Sequence, residues 1–119
     1  MLWDMGKELR AITDSRKLFY DVYRLTELNT TFKYTLNQQI IRAAISVGSN
    51  VVEGRRRSHK EFCRFLDISI GSCSEVQYQL SLYSCDTKEL NNLCDKIIGQ
   101  LINLKKYTKE YIKAHITKP

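Results

Sequence analysis

The sequence predicts an all-α fold, an antiparallel up-down four-helix bundle, from three observations. Its one proline is Pro119, so no interior position carries the ring that breaks a helix. Apolar residues recur at i, i+3 and i+4 over long segments instead of alternating. Two of these segments keep a four-three spacing, the kind of seam that lets antiparallel neighbours cross at about 20°. With 119 residues, 43% of them hydrophobic and 27% charged, the chain has the make-up of a single folded domain, 1–119.

The first helix is predicted over residues 15–28, with Leu18, Val22 and Leu25 on one face beside Phe19 and Leu28. Thr13-Asp14-Ser15 reads as its start signal, although Leu9 and Ile12 allow a backward extension. The polar TELNTTF stretch follows as a loop. The second helix is predicted over 36–53, capped by Thr35 and closed by Gly54 as a C-terminal glycine. It carries two apolar stripes, Leu36/Ile40/Ala44/Val47/Val51 and Ile41/Ile45/Gly48/Val52, a face wider than a single-layer surface helix needs.

The third helix, 59–84, has the clearest start: Ser58 and Glu61 fit a capping box. Its seam runs Phe62, Leu66, Ser69, Cys73, Val76, Leu80 and Tyr83, with small central residues that permit close approach. Asp86 and Glu89 repeat the box at the fourth helix, 87–112. Its seam is Leu90, Cys94, Ile97, Leu101, Leu104, Thr108 and Tyr111, and residues beyond Ile112 are expected to fray.

Charge is the first functional signal. The net value is +6, and the segment Arg55–Arg64 alone nets +4 through Arg55, Arg56, Arg57, Lys60 and Arg64 against Glu61. A second cluster, Lys105–Lys118, holds five lysines against Glu110. Guanidinium groups bond phosphate oxygens bidentately, and each neutralised phosphate releases counterions. The candidate nucleic-acid contacts are therefore Arg55, Arg56, Arg57, Lys60 and Arg64, with Lys105, Lys106 and Lys109 as a second patch. An ordinary solvated turn, partly neutralised by Glu53 and Glu61, is the bland alternative. A sticky face beside a positive turn reads as a protein that assembles and offers charge to an acidic partner.

Other classes have little support in the residues. Cys63, Cys73, Cys85 and Cys94 make no CxxC or CxH spacing, so neither a zinc site nor a disulfide is expected. The chain shows no signal-peptide pattern and no apolar run of membrane-spanning length of ~20 residues. The expectation is a cytoplasmic protein that does not enter membranes. His59 and His115 are the only histidines and stand in no catalytic motif, and no glycine-rich phosphate loop or ExxH pair occurs. The reading is a non-enzyme without cofactors. The seven tyrosines are expected to serve mainly as half-buried packing, with base stacking the lesser alternative.

The order VYRLT (Val22–Thr26), LNQQIIRAAISVGSNVVEG (Leu36–Gly54) and SHKEFCRFLDISIGSCSEVQYQL (Ser58–Leu80) resembles the 23S rRNA intervening-sequence protein family. The specific blocks are RAA at Arg42–Ala44, SN-x-x-EG at Ser49–Gly54, KEF at Lys60–Phe62 and GS-x-x-E at Gly71–Glu75. The resemblance implies a bacterial cytoplasmic four-helix bundle, a ring-shaped homopentamer and a connection to nucleic acid. Accessory proteins of diversity-generating retroelements look similar, and in those a basic pentameric barrel binds the reverse transcriptase and nucleic acid. In a fivefold ring a local +4 would become about +20. The chain departs from the family pattern in having Gly48 where proline is usual, and in shorter connections after Gly54 and between the third and fourth helices.

Among the family-like residues, Arg42, Asn50 and Glu53 are read as architecture. They lie on a polar edge expected to contact the third helix, where Glu75 offers a partner for Arg42. A buried pair of that kind would set register more than add stability. Three readings remain: a homo-oligomeric bundle binding RNA or DNA through phosphates, a scaffold docking an acidic protein, and the passenger of a selfish element with no cellular activity of its own.

Overall fold

The computed structural model describes residues 5–116, and the side chains of 6–115. Lys118, counted in the second basic cluster, lies outside the described residues. Four helices follow one another: α1 (Met5–Leu28), α2 (Leu36–Gly54), α3 (His59–Leu80) and α4 (Lys88–Ile116). Each packs on two neighbours, α1 on α2, α2 on α3, α3 on α4, and α4 back on α1.

Cross-helix contacts run in opposite order along α2/α3 and α3/α4, and along α1/α2 where Glu8 meets Arg55 and Thr26 meets Asn37, which fixes the directions as antiparallel. Ser69 Oγ of α3 donates to the Val47 carbonyl of α2, and the Ser46 and Ser72 hydroxyls meet at 2.8 Å. Cys73 lies against the Cys94 carbonyl, whereas Lys105, further along α4, reaches back to Asp67. Gln100 of α4 bonds Asp14 of α1 at 2.7 Å. The result is an elongated up-down bundle measuring 60 × 22 × 18 Å.

The two predicted seams form the core. Phe62, Leu66, Ser69, Cys73, Val76 and Leu80 of α3 are buried against Cys94, Ile97, Leu101, Leu104 and Thr108 of α4. Of the stripes on α2, Ile40, Ala44, Val47 and Val51 are fully buried, while Ile45 and Val52 of the second remain 49% and 46% exposed.

Helix ends depart from the sequence reading for local reasons. Helix α1 starts at Met5, not Ser15: Ser15 Oγ donates 2.6 Å back to the Ala11 carbonyl, so it sits inside the helix instead of capping it. Helix α3 stops at Leu80, short of 84, and Tyr83 is buried from the following turn. Helix α4 continues beyond Ile112 to Ile116.

Ser58 does cap α3, accepting the Glu61 N–H at 3.2 Å. Thr35 precedes α2 without a side-chain cap bond. Asp86 makes an Asx turn to the Lys88 N–H at 2.9 Å, replacing the box expected with Glu89.

Gly54 also has a different role from the one predicted. No residue has positive φ among the described ones, so it is not a left-handed cap. A Cβ there would stand 2.5 Å from Phe65 Cβ and 2.9 Å from Phe62 Cδ1. The glycine lets α3 begin directly against the end of α2. Gly54→Ala is expected to lower unfolding free energy by about 2 kcal/mol despite alanine's better helix propensity, measured by denaturant titration.

Candidate nucleic-acid interface

The up-down order brings the starts of α1 and α3 and the ends of α2 and α4 to one end of the bundle. Residues 5–16, 53–67 and 102–116 make up that end, and they hold twelve Lys and Arg against six Asp and Glu. The remaining described residues, 17–52 and 68–101, hold six of each. The whole excess of positive charge is thus concentrated at one end, and the two basic clusters, distant in sequence, converge there.

Within this end the predicted contacts divide into two groups. Arg55 is committed to the fold: its Nε lies 3.6 Å from Glu8 Oε1, and Glu8 is buried in α1. Arg57 pairs with Glu53 at 3.2 Å, and its guanidinium stands 5.4 Å from the centre of the Phe65 ring. Lys105 bonds Asp67 at 2.6 Å, and that bond raises its pKa. The second group consists of Arg56, Lys60, Arg64, Lys106 and Lys109. All five are exposed and have no acidic partner among the described residues. Arg64 lies over the Phe65 ring at 5.1 Å, a contact that leaves its N–H groups available.

The family-like residues fall on the neighbouring surface. Asn50 donates to the Ser46 carbonyl at 2.8 Å and hydroxyl at 2.9 Å, and Ser46 continues the link to Ser72 of α3. The expected Arg42–Glu75 pair does not form: both side chains are exposed, and Glu75 accepts instead from Gln79 at 3.4 Å. One helical turn separates Glu75 from Gln79, so that bond requires no partner from α2.

Several features escaped the sequence reading. Tyr20, Tyr23, Tyr34 and Tyr78 are exposed, not half-buried, because they lie off the seams. Tyr20 belongs to a groove of about 490 Å³ between α1 and α2, lined by Ile12, Phe19, Ile45, Gly48 and Val52 and flanked by Arg16 and Arg56. Gly48 forms part of it, where a Cβ would meet Ser15 Cβ at 3.2 Å. The seam arithmetic of α2 contained a signal for this groove, since the second stripe had no partner helix left to cover it.

His59, at the start of α3, stacks on Tyr111 with ring centres 4.6 Å apart. Burial, then the nearby His115, lowers the pKa of His59. An unfolded chain would therefore take up a proton on this residue at a pH where the native one does not. Stability should fall as pH drops below 6.5, and His59→Gln should flatten that slope in thermal melts. Burial raises the Cys63 pKa, which keeps this thiol protonated and unreactive.

Among the described residues there is no cluster of three or more His, Cys, Asp or Glu able to hold a metal. No described helix is long and apolar enough to cross a membrane.

The chain is similar to a solved structure of unknown function from Bacteroides thetaiotaomicron, assigned to the S23 ribosomal protein family. Identity is 23% and the TM-score 0.75, covering 84% of this chain and 98% of that one. This likeness establishes the fold. No curated protein matches the sequence. The family model for the 23S rRNA-intervening sequence protein matches residues 7–110, spanning all four helices. With that match over nearly its whole length, the chain belongs to the 23S rRNA-intervening sequence protein family.

Proposed function

We propose that this protein is a non-catalytic, homo-oligomeric bundle that binds RNA through phosphate contacts at its basic end. The observation that carries the reading is the convergence of both basic clusters on one end, with Arg56, Lys60, Arg64, Lys106 and Lys109 unpaired by any described carboxylate. Such charge attracts a polyanion with little regard for sequence. The family's name, which refers to an intervening sequence in 23S rRNA, points the same way.

Assembly, as a pentameric ring on the family resemblance, multiplies the field. Ile45 and Val52, left exposed beside the α1/α2 groove, give a second copy an apolar seat. The rival reading is a scaffold whose basic end docks an acidic protein. It draws on the same charge.

Two measurements decide. Light scattering should give a mass several times 13.9 kDa, and a monomer would remove the charge-summing argument. RNA affinity should fall steeply with salt, log K against log[salt] having a slope of about −0.7 to −0.9 per phosphate neutralised. A nuclease-resistant acidic protein co-purifying from the native host, with no salt-dependent RNA binding, would favour the scaffold.

A further inference from the structure

The chain's two histidines lie far apart in sequence, and the fold stacks both on one tyrosine. His59 and Tyr111 have ring centres 4.6 Å apart and planes inclined at 25°. Tyr111 and His115 are 4.0 Å apart at 23°. Two rings cannot share one face at such separations, so the imidazoles cover opposite faces of Tyr111 and form a column of three rings. The inner end is rooted at the first residue of α3. The outer end is His115, one turn beyond Tyr111 on α4 and exposed to solvent.

His115 is held in place as well as exposed. Its Nδ1 lies 2.8 Å from the Tyr111 carbonyl, which can only accept, so Nδ1 carries the hydrogen and the ring is oriented. A histidine in a last helical turn also complements the helix dipole. That accounts for a basic residue type at this position and not for a ring stacked on a neighbour. The outer face of His115 has no aromatic partner among the described residues.

Exposed Lys60 directly follows His59, and exposed Lys109 lies within a turn of Tyr111. A flat ring face on the same basic end of the bundle is a combination that receives bases in single-strand binders. In a duplex the base faces are already covered by their neighbours, so only an unpaired base can use it.

We infer that His115, backed by Tyr111 and His59, is a stacking platform for one unpaired base at an RNA end or loop. The inference rests on the phosphate-binding reading above and adds to it a preference that phosphate contacts cannot supply.

The test compares three labelled RNAs by fluorescence anisotropy: a blunt duplex, the duplex with a short 3′ overhang, and the same overhang made abasic. The last two carry equal phosphates and differ only in bases. The wild-type protein should bind the base-bearing overhang about tenfold more tightly than the abasic one. His115→Ala should bring the two to parity, and His115→Trp should restore the preference. Because the readout is a ratio of affinities, any loss of folded protein cancels.

Parity in the wild-type protein, or a preference that survives His115→Ala, overturns the platform while salt-dependent binding leaves the phosphate reading standing. If no RNA binds at all, both fall together.

Discussion

Replacing Arg56, Lys60, Arg64, Lys106 and Lys109 together with alanine should leave the bundle folded and remove most of its RNA affinity, about a hundredfold or more at low salt. The salt slope should shrink by about one for each phosphate that is no longer neutralised. These five side chains are exposed, and no described carboxylate depends on them, so the fold loses little. Relief of mutual repulsion between like charges offsets part of any loss.

The contrast with Arg55 makes the prediction sharp. Arg55→Ala removes the ion pair to the carboxylate of Glu8, which is 2% exposed, and should cost stability on the order of 1 kcal/mol. An Arg55/Arg56/Arg57→Ala variant therefore mixes a folding defect with a binding defect. Undiminished affinity in the five-residue variant would sink phosphate binding at this end, whatever the arginine triplet does.

The fold was legible where burial is periodic. Phe62 through Leu80 and Cys94 through Thr108 announce their seams because every third or fourth side chain must leave water. Ends were harder to read, because a serine before an apolar run looks like a cap in sequence. Only the structure shows Ser15 bonding backwards to Ala11, or Gly54 yielding space to Phe65 instead of taking positive φ.

The basic end was legible as two clusters but not as one. Their meeting depends on the up-down order of four helices, which decides which termini coincide. The division among the cations was hidden altogether. Nothing near Arg55 in sequence names Glu8 as its partner, and nothing near Lys105 names Asp67. Both pairs join segments dozens of residues apart, which charge counting cannot see.

At the opposite end, the largest loss of stability from a polar residue should come from Asn37. Its Nδ2 donates to the Asn29 carbonyl at 2.6 Å and the Thr26 carbonyl at 3.2 Å, and its Oδ1 accepts the Tyr83 hydroxyl at 2.6 Å. One side chain thus ties the α1–α2 connection to the turn after α3, inside a site where Asn37 is 5% and Tyr83 7% exposed. Asn37→Leu would leave the Tyr83 hydroxyl without this acceptor and the Asn29 carbonyl without this donor, at a cost of about 2–4 kcal/mol. Tyr83→Phe should cost about 1–2 kcal/mol. The double variant should lose less than the sum, since each single change already breaks the shared bond.

The same site predicts an alkaline signature. Burial, with Cys85 nearby, pushes the Tyr83 pKa from 10.0 up to about 12. Between those values the unfolded chain has lost the proton and the native one still holds it. The contribution is thus complete below pH 10 and is lost as pH rises through about 12. Two units of pKa correspond to a stability term of roughly 2–3 kcal/mol. Subtracting the Tyr83→Phe denaturation curve from the wild type at successive pH values isolates it, because titrating groups that do not interact with Tyr83 cancel. A difference that stays constant above pH 10 would mean the hydroxyl is not buried against Asn37 in solution.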